Sequence, residues 1–236
     1  SPHDPGVAYM AATRYKLDDD RPFLYKTEDY GQTWTDISAG IPEHDYTRVV
    51  REDPARRGLL YVGTETGVYV SFDDGGSWQP LQLNLPITPI HDLVIKDDDL
   101  VAATHGRSFW ILDDLTQLRQ ITDDLAERPF HLMKPRAAYR RSPLPKSLTP
   151  ALGKHYKVSS GVTGTYVEKL GSAGETVRDF LDAGKDSPDG VIVAYWLKKK
   201  PEDTVTLSFL DSQGDQITNN LRLRYRHMII SLASES

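Results

Sequence analysis

Several residues in the first half of the chain carry side chains suited to acid–base and anion chemistry. Glu65 and Asp92 are the carboxylate pair that cleavage of a glycosidic bond would need, one held as an acid and the other as base or nucleophile, with Asp45 as a third candidate. His105 can relay a proton near neutral pH. Arg48 and Arg107 can hold an anionic sugar or polarise a leaving group through charge-assisted hydrogen bonds, and Tyr46 and His91 stand beside them as candidate substrate contacts. Arg107 follows Gly106, which permits close backbone approach. A plainer reading stands beside each: charged residues at turns are mostly solvated, and His91 with Asp92 can simply fix a loop.

Composition narrows the chemistry further. The 236 residues carry a formal charge of -6, and the pI is about 5.6. This balance disfavours nucleic acid or an anionic membrane as partner, because phosphate binding relies on clustered Lys and Arg. The mostly basic stretch Lys134 to Lys146 is short and rich in proline, with Tyr139 as its one aromatic, so it reads as a linker. Zero cysteines exclude disulfides, thiolate zinc sites and a cysteine nucleophile. The seven histidines show no metal-ligand spacing, and Asp18-Asp19-Asp20 and Asp97-Asp98-Asp99 lack the spacing of a calcium loop; no metal and no cofactor are expected. There is no phosphate-cradling glycine loop and no Gly-x-Ser-x-Gly elbow.

The elements that must position these residues announce themselves as a repeat of about 44 residues. Thr27-Glu28-Asp29-Tyr30-Gly31-Gln32-Thr33-Trp34 matches Ser71-Phe72-Asp73-Asp74-Gly75-Gly76-Ser77-Trp78, giving Ser/Thr-x-Asp-x-Gly-x-x-Trp twice. Upstream, Asp4-Pro5-Gly6 and the strand-like run after it parallel Asp53-Pro54 and Gly58-Leu59-Leu60-Tyr61. A third, decayed unit runs from Ile90 to Leu112 and ends in Asp113-Asp114-Leu115 without the Gly and Trp. Each unit reads as short strands separated by turn residues, the antiparallel meander of a β-propeller blade. In the complete unit the strands are expected at 47–52, 58–63, 67–72 and 77–82. The recurring box is a folding device: Asp29 and Asp73 accept backbone N–H bonds, Gly31 and Gly75 take positive φ, and Trp34 and Trp78 plug the gap between neighbouring sheets. In such a fold the hairpins joining second and third strands share a face with the connections between blades. That face collects Asp18, Asp19, Asp20, Arg21, Glu65, His105 and Arg107, joined by Asp45, Tyr46, Arg48, His91 and Asp92.

At these residues the chain resembles the bacterial Asp-box (BNR) repeat proteins of the sortilin-type or glycosyl-hydrolase-like propellers. The resemblance covers residues 1 to about 125, most clearly Arg48-Val49-Val50-Arg51-Glu52-Asp53-Pro54, Gly63-Thr64-Glu65-Thr66-Gly67-Val68-Tyr69 and Thr104-His105-Gly106-Arg107-Ser108-Phe109-Trp110. It implies a many-bladed propeller for full-length relatives, with a β-sandwich at the C-terminus. Sortilin receptors carry a cysteine-rich module that is missing here. Sialidases carry an Arg-Ile-Pro motif, which does not occur here either.

The expected architecture is therefore all-β: two to three Asp-box blades over residues 1–120, a proline-rich linker over 121–150, and an immunoglobulin-like sandwich over 151–236. Strand-like runs at 190–197 and 204–210 support the sandwich, the second leading into the hairpin turn Asp211-Ser212-Gln213-Gly214-Asp215. Past about residue 220 the run Leu221 to Ile230 departs from the pattern and reads as a non-native tail, so the sandwich is expected to lack its last strands. Fewer than three full blades leave sheet faces open, and a second copy of the chain is the expected cover, with packing on the chain's own sandwich as the alternative. No apolar run is long enough to span a bilayer, and the start lacks a signal peptide, which leaves a cytoplasmic chain or an exported one with its signal removed. Two functions stand open: a glycosidase acting on a glycan or glycoside, and a non-catalytic propeller module that binds protein or carbohydrate.

Overall fold

The computed structural model describes residues 1–138, 153–159, 162–171, 174–180, 191–201, 207–210 and 213–216. The first repeat supplies β1 (Ala8–Arg14), β2 (Asp19–Thr27) and β3 (Thr35–Asp36) as a three-stranded antiparallel sheet. The second supplies β4 (Thr47–Glu52), β5 (Leu60–Thr64), β6 (Val68–Ser71) and β7 (Gln79–Pro80), hydrogen-bonded in that order. The third supplies β8 (Ile90–Lys96), β9 (Asp99–Thr104) and β10 (Phe109–Leu112). The chain is all-β, a partial β-propeller in which blade 2 is complete, blade 1 holds the second to fourth strand positions and blade 3 the first to third.

Strand alternation explains how the blades stack, because successive side chains leave a strand on opposite faces. From blade 2, Leu60, Val62 and Tyr69 face blade 1 and join Leu24, Ile37, Ile41, Val50 and Trp78 in one core. Leu59, Tyr61, Val68 and Val70 face blade 3 and join Ile90, Leu93, Leu100 and Ala102 in the other. Every residue of β5 is buried, as a central strand requires. Each such side chain contributes about 1.5–3 kcal/mol by leaving water. Gly63 marks the closest approach: a Cβ there would lie 2.6 Å from Ile90 Cγ2 and 2.7 Å from Val49 Cγ1.

Up to their tryptophans, the two Asp boxes agree bond for bond. In the first, the Thr27 hydroxyl donates to Asp29 Oδ1 at 2.8 Å and accepts the Gly31 N–H, while Asp29 also accepts the Thr33 N–H and hydroxyl. In the second, the Ser71 hydroxyl donates to Asp73 at 2.7 Å and accepts the Gly75 N–H, and Asp73 accepts the Ser77 N–H and hydroxyl. Both glycines have positive φ, 87° and 90°. Trp78 is buried and its indole N–H donates to the Ile37 carbonyl at 2.7 Å, so it wedges blade 2 against the connection leaving blade 1. Trp34 differs from the expectation: it is 42% exposed, because among the described residues nothing in front of blade 1 occupies the place that Ile37 and Gly40 take around Trp78. In blade 3 the turn persists without the box. Asp114, with φ 66°, keeps the left-handed conformation of Tyr30 (60°) and Asp74 (63°), while Leu115, standing where the glycine was, is fully buried in the core between blades.

Residues 121–138 depart from the extended crossing that their prolines suggested. They run back over blade 3 through short 3-10 turns and β11 (Phe130–Leu132), and Ile121, Leu125 and Met133 enter the core shared by blades 2 and 3. The strand expected at 190–197 is observed as β15 (Tyr195–Leu197), and it pairs with β11, with Trp196 packed on that same core. Between them in sequence, β12 (Gly153–Ser159), β13 (Val162–Leu170) and β14 (Thr176–Phe180) form one antiparallel sheet, the described layer of the sandwich region. Leu210 bridges Gln216 across a turn in which Gly214 has φ 90°, as expected of the hairpin there. Residues 139–150, the start of the run at 204–210, and the segment 217–236 that includes the expected tail lie outside the described residues.

Candidate functional site

The inner strands of blades 2 and 3 carry the same irregularity. The register of β4 against β5 shifts between Thr47 and Val49, and that of β8 against β9 between Ile90 and Asp92. Each shift is a β-bulge, which re-aims the extra residue. The bulged residues are Arg48 and His91, and each meets the first residue of its own blade's second-to-third-strand hairpin. Those partners, Glu65 and His105, are themselves placed alike: the Glu65 N–H donates to the Tyr46 carbonyl at 3.2 Å and the His105 N–H to the Pro89 carbonyl at 2.9 Å. The fold thus builds one two-residue seat twice.

In blade 2 the seat is an ion pair. Arg48 donates from Nε and NH2 to Glu65 Oε2 at 2.8 and 2.5 Å, and NH2 donates to the Tyr46 hydroxyl at 3.0 Å. The guanidinium lies 5.0 Å from the Tyr46 ring centre, and Tyr15 stacks on Tyr46 at 5.2 Å with its own ring 40% exposed. Burial raises the Tyr46 phenol above its usual pKa, with the Glu65 carboxylate pushing the same way. Asp45 lies beneath, 3% exposed, and accepts the Thr64, Thr66 and Tyr69 hydroxyls and the Thr66 N–H. It stitches the hairpin to the blade connection, and burial, with the Asp45 carboxylate pushing the same way, raises the Tyr69 phenol to about 12.

In blade 3 the seat is a pair of rings. His105 Nδ1 lies 3.2 Å from His91 Nε2, the rings meeting edge to face at 74°. Asp92 points elsewhere, accepting Arg51 NH2 at 2.6 Å while Arg51 Nε donates to the Leu93 carbonyl. Glu65 and Asp92 are therefore held by two different arginines of β4, Arg48 and Arg51. Arg107 is exposed on the hairpin, its carbonyl accepting the Trp110 indole N–H. Of the acidic run that opens β2, Asp19 takes a bidentate contact from Arg21 that holds its carboxyl at about 2.

Two features escaped the sequence reading. On the opposite end of the blades, fully buried Asp53 accepts the Ala55 and Arg56 amides and the Arg119 guanidinium, and Arg56 donates to the Leu118 and Ile121 carbonyls, which ties the segment after blade 3 to blade 2. A cleft of about 460 Å³ also lies among β1, β4 and β8, lined by Tyr9, Val50, Arg51, Glu52, Val94 and Ile95. Glu52 Oε1 accepts the Gly58 N–H there, while Oε2 is buried with no hydrogen-bond partner among the described residues. No Asp-box or metal spacing signals Glu52; only the strand's burial does. Among the described residues no group of three or more metal-ligating acidic or histidine side chains occurs.

No family model and no curated protein matches the sequence. Among solved structures, the chain is similar to an ancestral GH74 enzyme at 21% identity and a TM-score of 0.37, over 45% of this chain and 13% of that one. It is similar also to YCF48 bound to a D1 peptide at 23% identity and a TM-score of 0.31, over 39% of this chain and 31% of that one. The chain thus spans less than a third of either. The fold stands on the blade sheets and their boxes.

Proposed function

We propose that the chain is a non-catalytic, ligand-binding part of a propeller, and that it takes carbohydrate on the face bearing Tyr15, Arg48, Glu65, His105 and Arg107. One observation supports this reading over hydrolysis: each carboxylate suited to the acid–base role is already committed. Asp45 is saturated by four donors, Glu65 is clamped by Arg48, and Asp92 is held by Arg51. A glycosidase needs two carboxyls that face the same scissile bond, whereas Glu65 and Asp92 are turned to two different arginines. The exposed Tyr15 ring offers the flat apolar surface on which a sugar ring stacks, with Arg48 and Glu65 beside it as fixed polar partners. The test pairs turnover with binding. Aryl glycosides are expected to stay intact, while oligosaccharides bind saturably by calorimetry and Tyr15→Ala weakens them about tenfold or more. Turnover that disappears in Glu65→Gln or Asp92→Asn would replace this reading with a hydrolase; binding of peptides but not glycans would move it to a protein-recognition module.

A further inference from the structure

We infer that His91 and His105 form a two-histidine seat for a divalent transition metal of the imidazole-preferring kind, zinc foremost. The argument starts from the duplicated seat. In blade 2 the bulged residue and the hairpin residue are an arginine and a glutamate, which neutralise one another. In blade 3 the same two backbone positions present two nitrogen donors, which together carry no compensating charge and converge.

The geometry fits chelation. A zinc–imidazole bond is about 2.0–2.1 Å, so two nitrogens on one tetrahedral ion lie roughly 3.3 Å apart. His105 Nδ1 and His91 Nε2 stand 3.2 Å apart as a hydrogen-bonded pair, the ring centres separated by 4.8 Å with the planes at 74°, so a metal held between the two nitrogens would replace that hydrogen bond. The backbone holds both rings in place. The β8 bulge fixes His91; the His105 N–H donates to Pro89, and the buried Thr88 hydroxyl donates to the His105 carbonyl at 3.2 Å. Both histidines are exposed, so the remaining coordination positions open to water or to an oxygen of a bound ligand. Asp92, spent on Arg51, is no ligand in this arrangement.

Zinc titrated into the full chain, followed by calorimetry and by imidazole nitrogen NMR, tests the seat. Saturable binding is expected, with the shifts centred on His91 Nε2 and His105 Nδ1. His91→Ala and His105→Ala should each weaken it about tenfold or more, since a chelate loses its second donor in either case, while His131→Ala leaves it unchanged. The double variant His91→Arg with His105→Glu installs the blade 2 ion pair in blade 3; it should fold as the parent does and lose the zinc site. Equal zinc affinity in the parent and this double variant would overturn the inference and leave the two rings as a hydrogen-bonded pair alone.

Discussion

At the scale of single residues, the Asp boxes tie folding to pH. The Thr33 hydroxyl and amide, with the Thr27 hydroxyl, hold Asp29 at about 2 against an ordinary 3.8. For Asp73, burial pulls upward, and the Ser77 and Ser71 hydroxyls outweigh it, so its value is lowered too. A carboxyl depressed in the folded state stabilises that state fully above its unfolded value and ceases to do so as pH falls through the folded one. Thermal stability is therefore expected to drop from about pH 4 towards 2, and Asp29→Asn with Asp73→Asn should flatten that part of a melting-temperature profile. These residues were legible because the box is a local device, its types and spacing closing a turn on themselves. Thr33 and Ser77 were not read as part of it, since a hydroxyl at a variable position looks like any other turn residue. The pairing of Arg48 with Glu65 and of His91 with His105 was hidden for a different reason: a bulge is a property of two strands in register, and neither strand reveals it alone.

At the scale of elements, the two tryptophans of the repeat separate pattern from environment. Their sequence contexts match, yet Trp78 is buried against Ile37 and Trp34 is 42% exposed. Removing a buried indole leaves a cavity, so Trp78→Ala should cost about 3–5 kcal/mol. Trp34→Ala should cost about 1 kcal/mol or less. Urea unfolding of the two variants measures the difference, and equal losses would contradict the stacking described above. The strands of the complete blade were readable from alternation and turn residues. The return of residues 121–138 was not, because proline marks where a chain cannot be regular and is silent on where its apolar neighbours go; Ile121, Leu125 and Met133 are held by a core made elsewhere.

At the scale of the whole molecule, blade 3 presents an open face. Val94 pairs across to Val101 and on to Ile111, and Phe109 stands opposite Ala103, so these side chains share one side of the sheet. Val94, Phe109 and Ile111 are 49%, 72% and 57% exposed. The corresponding face of blade 2 is buried by blade 3, and blade 1 has its own exposed side at Met10. A second copy stacking in the same head-to-tail sense would cover both faces. Light scattering after gel filtration at micromolar concentration is expected to give a mass above 26.5 kDa, reduced to it by Ile111→Lys; a monomer in the parent chain would end this expectation. The way blade 2 closes has another consequence. Trp78 docks on a carbonyl 41 residues behind it, and Asp74 of the same turn accepts the Tyr9 hydroxyl of blade 1. The box turn of blade 2 thus closes on chain that has already been made, so on the ribosome this turn can lock onto blade 1 as it emerges.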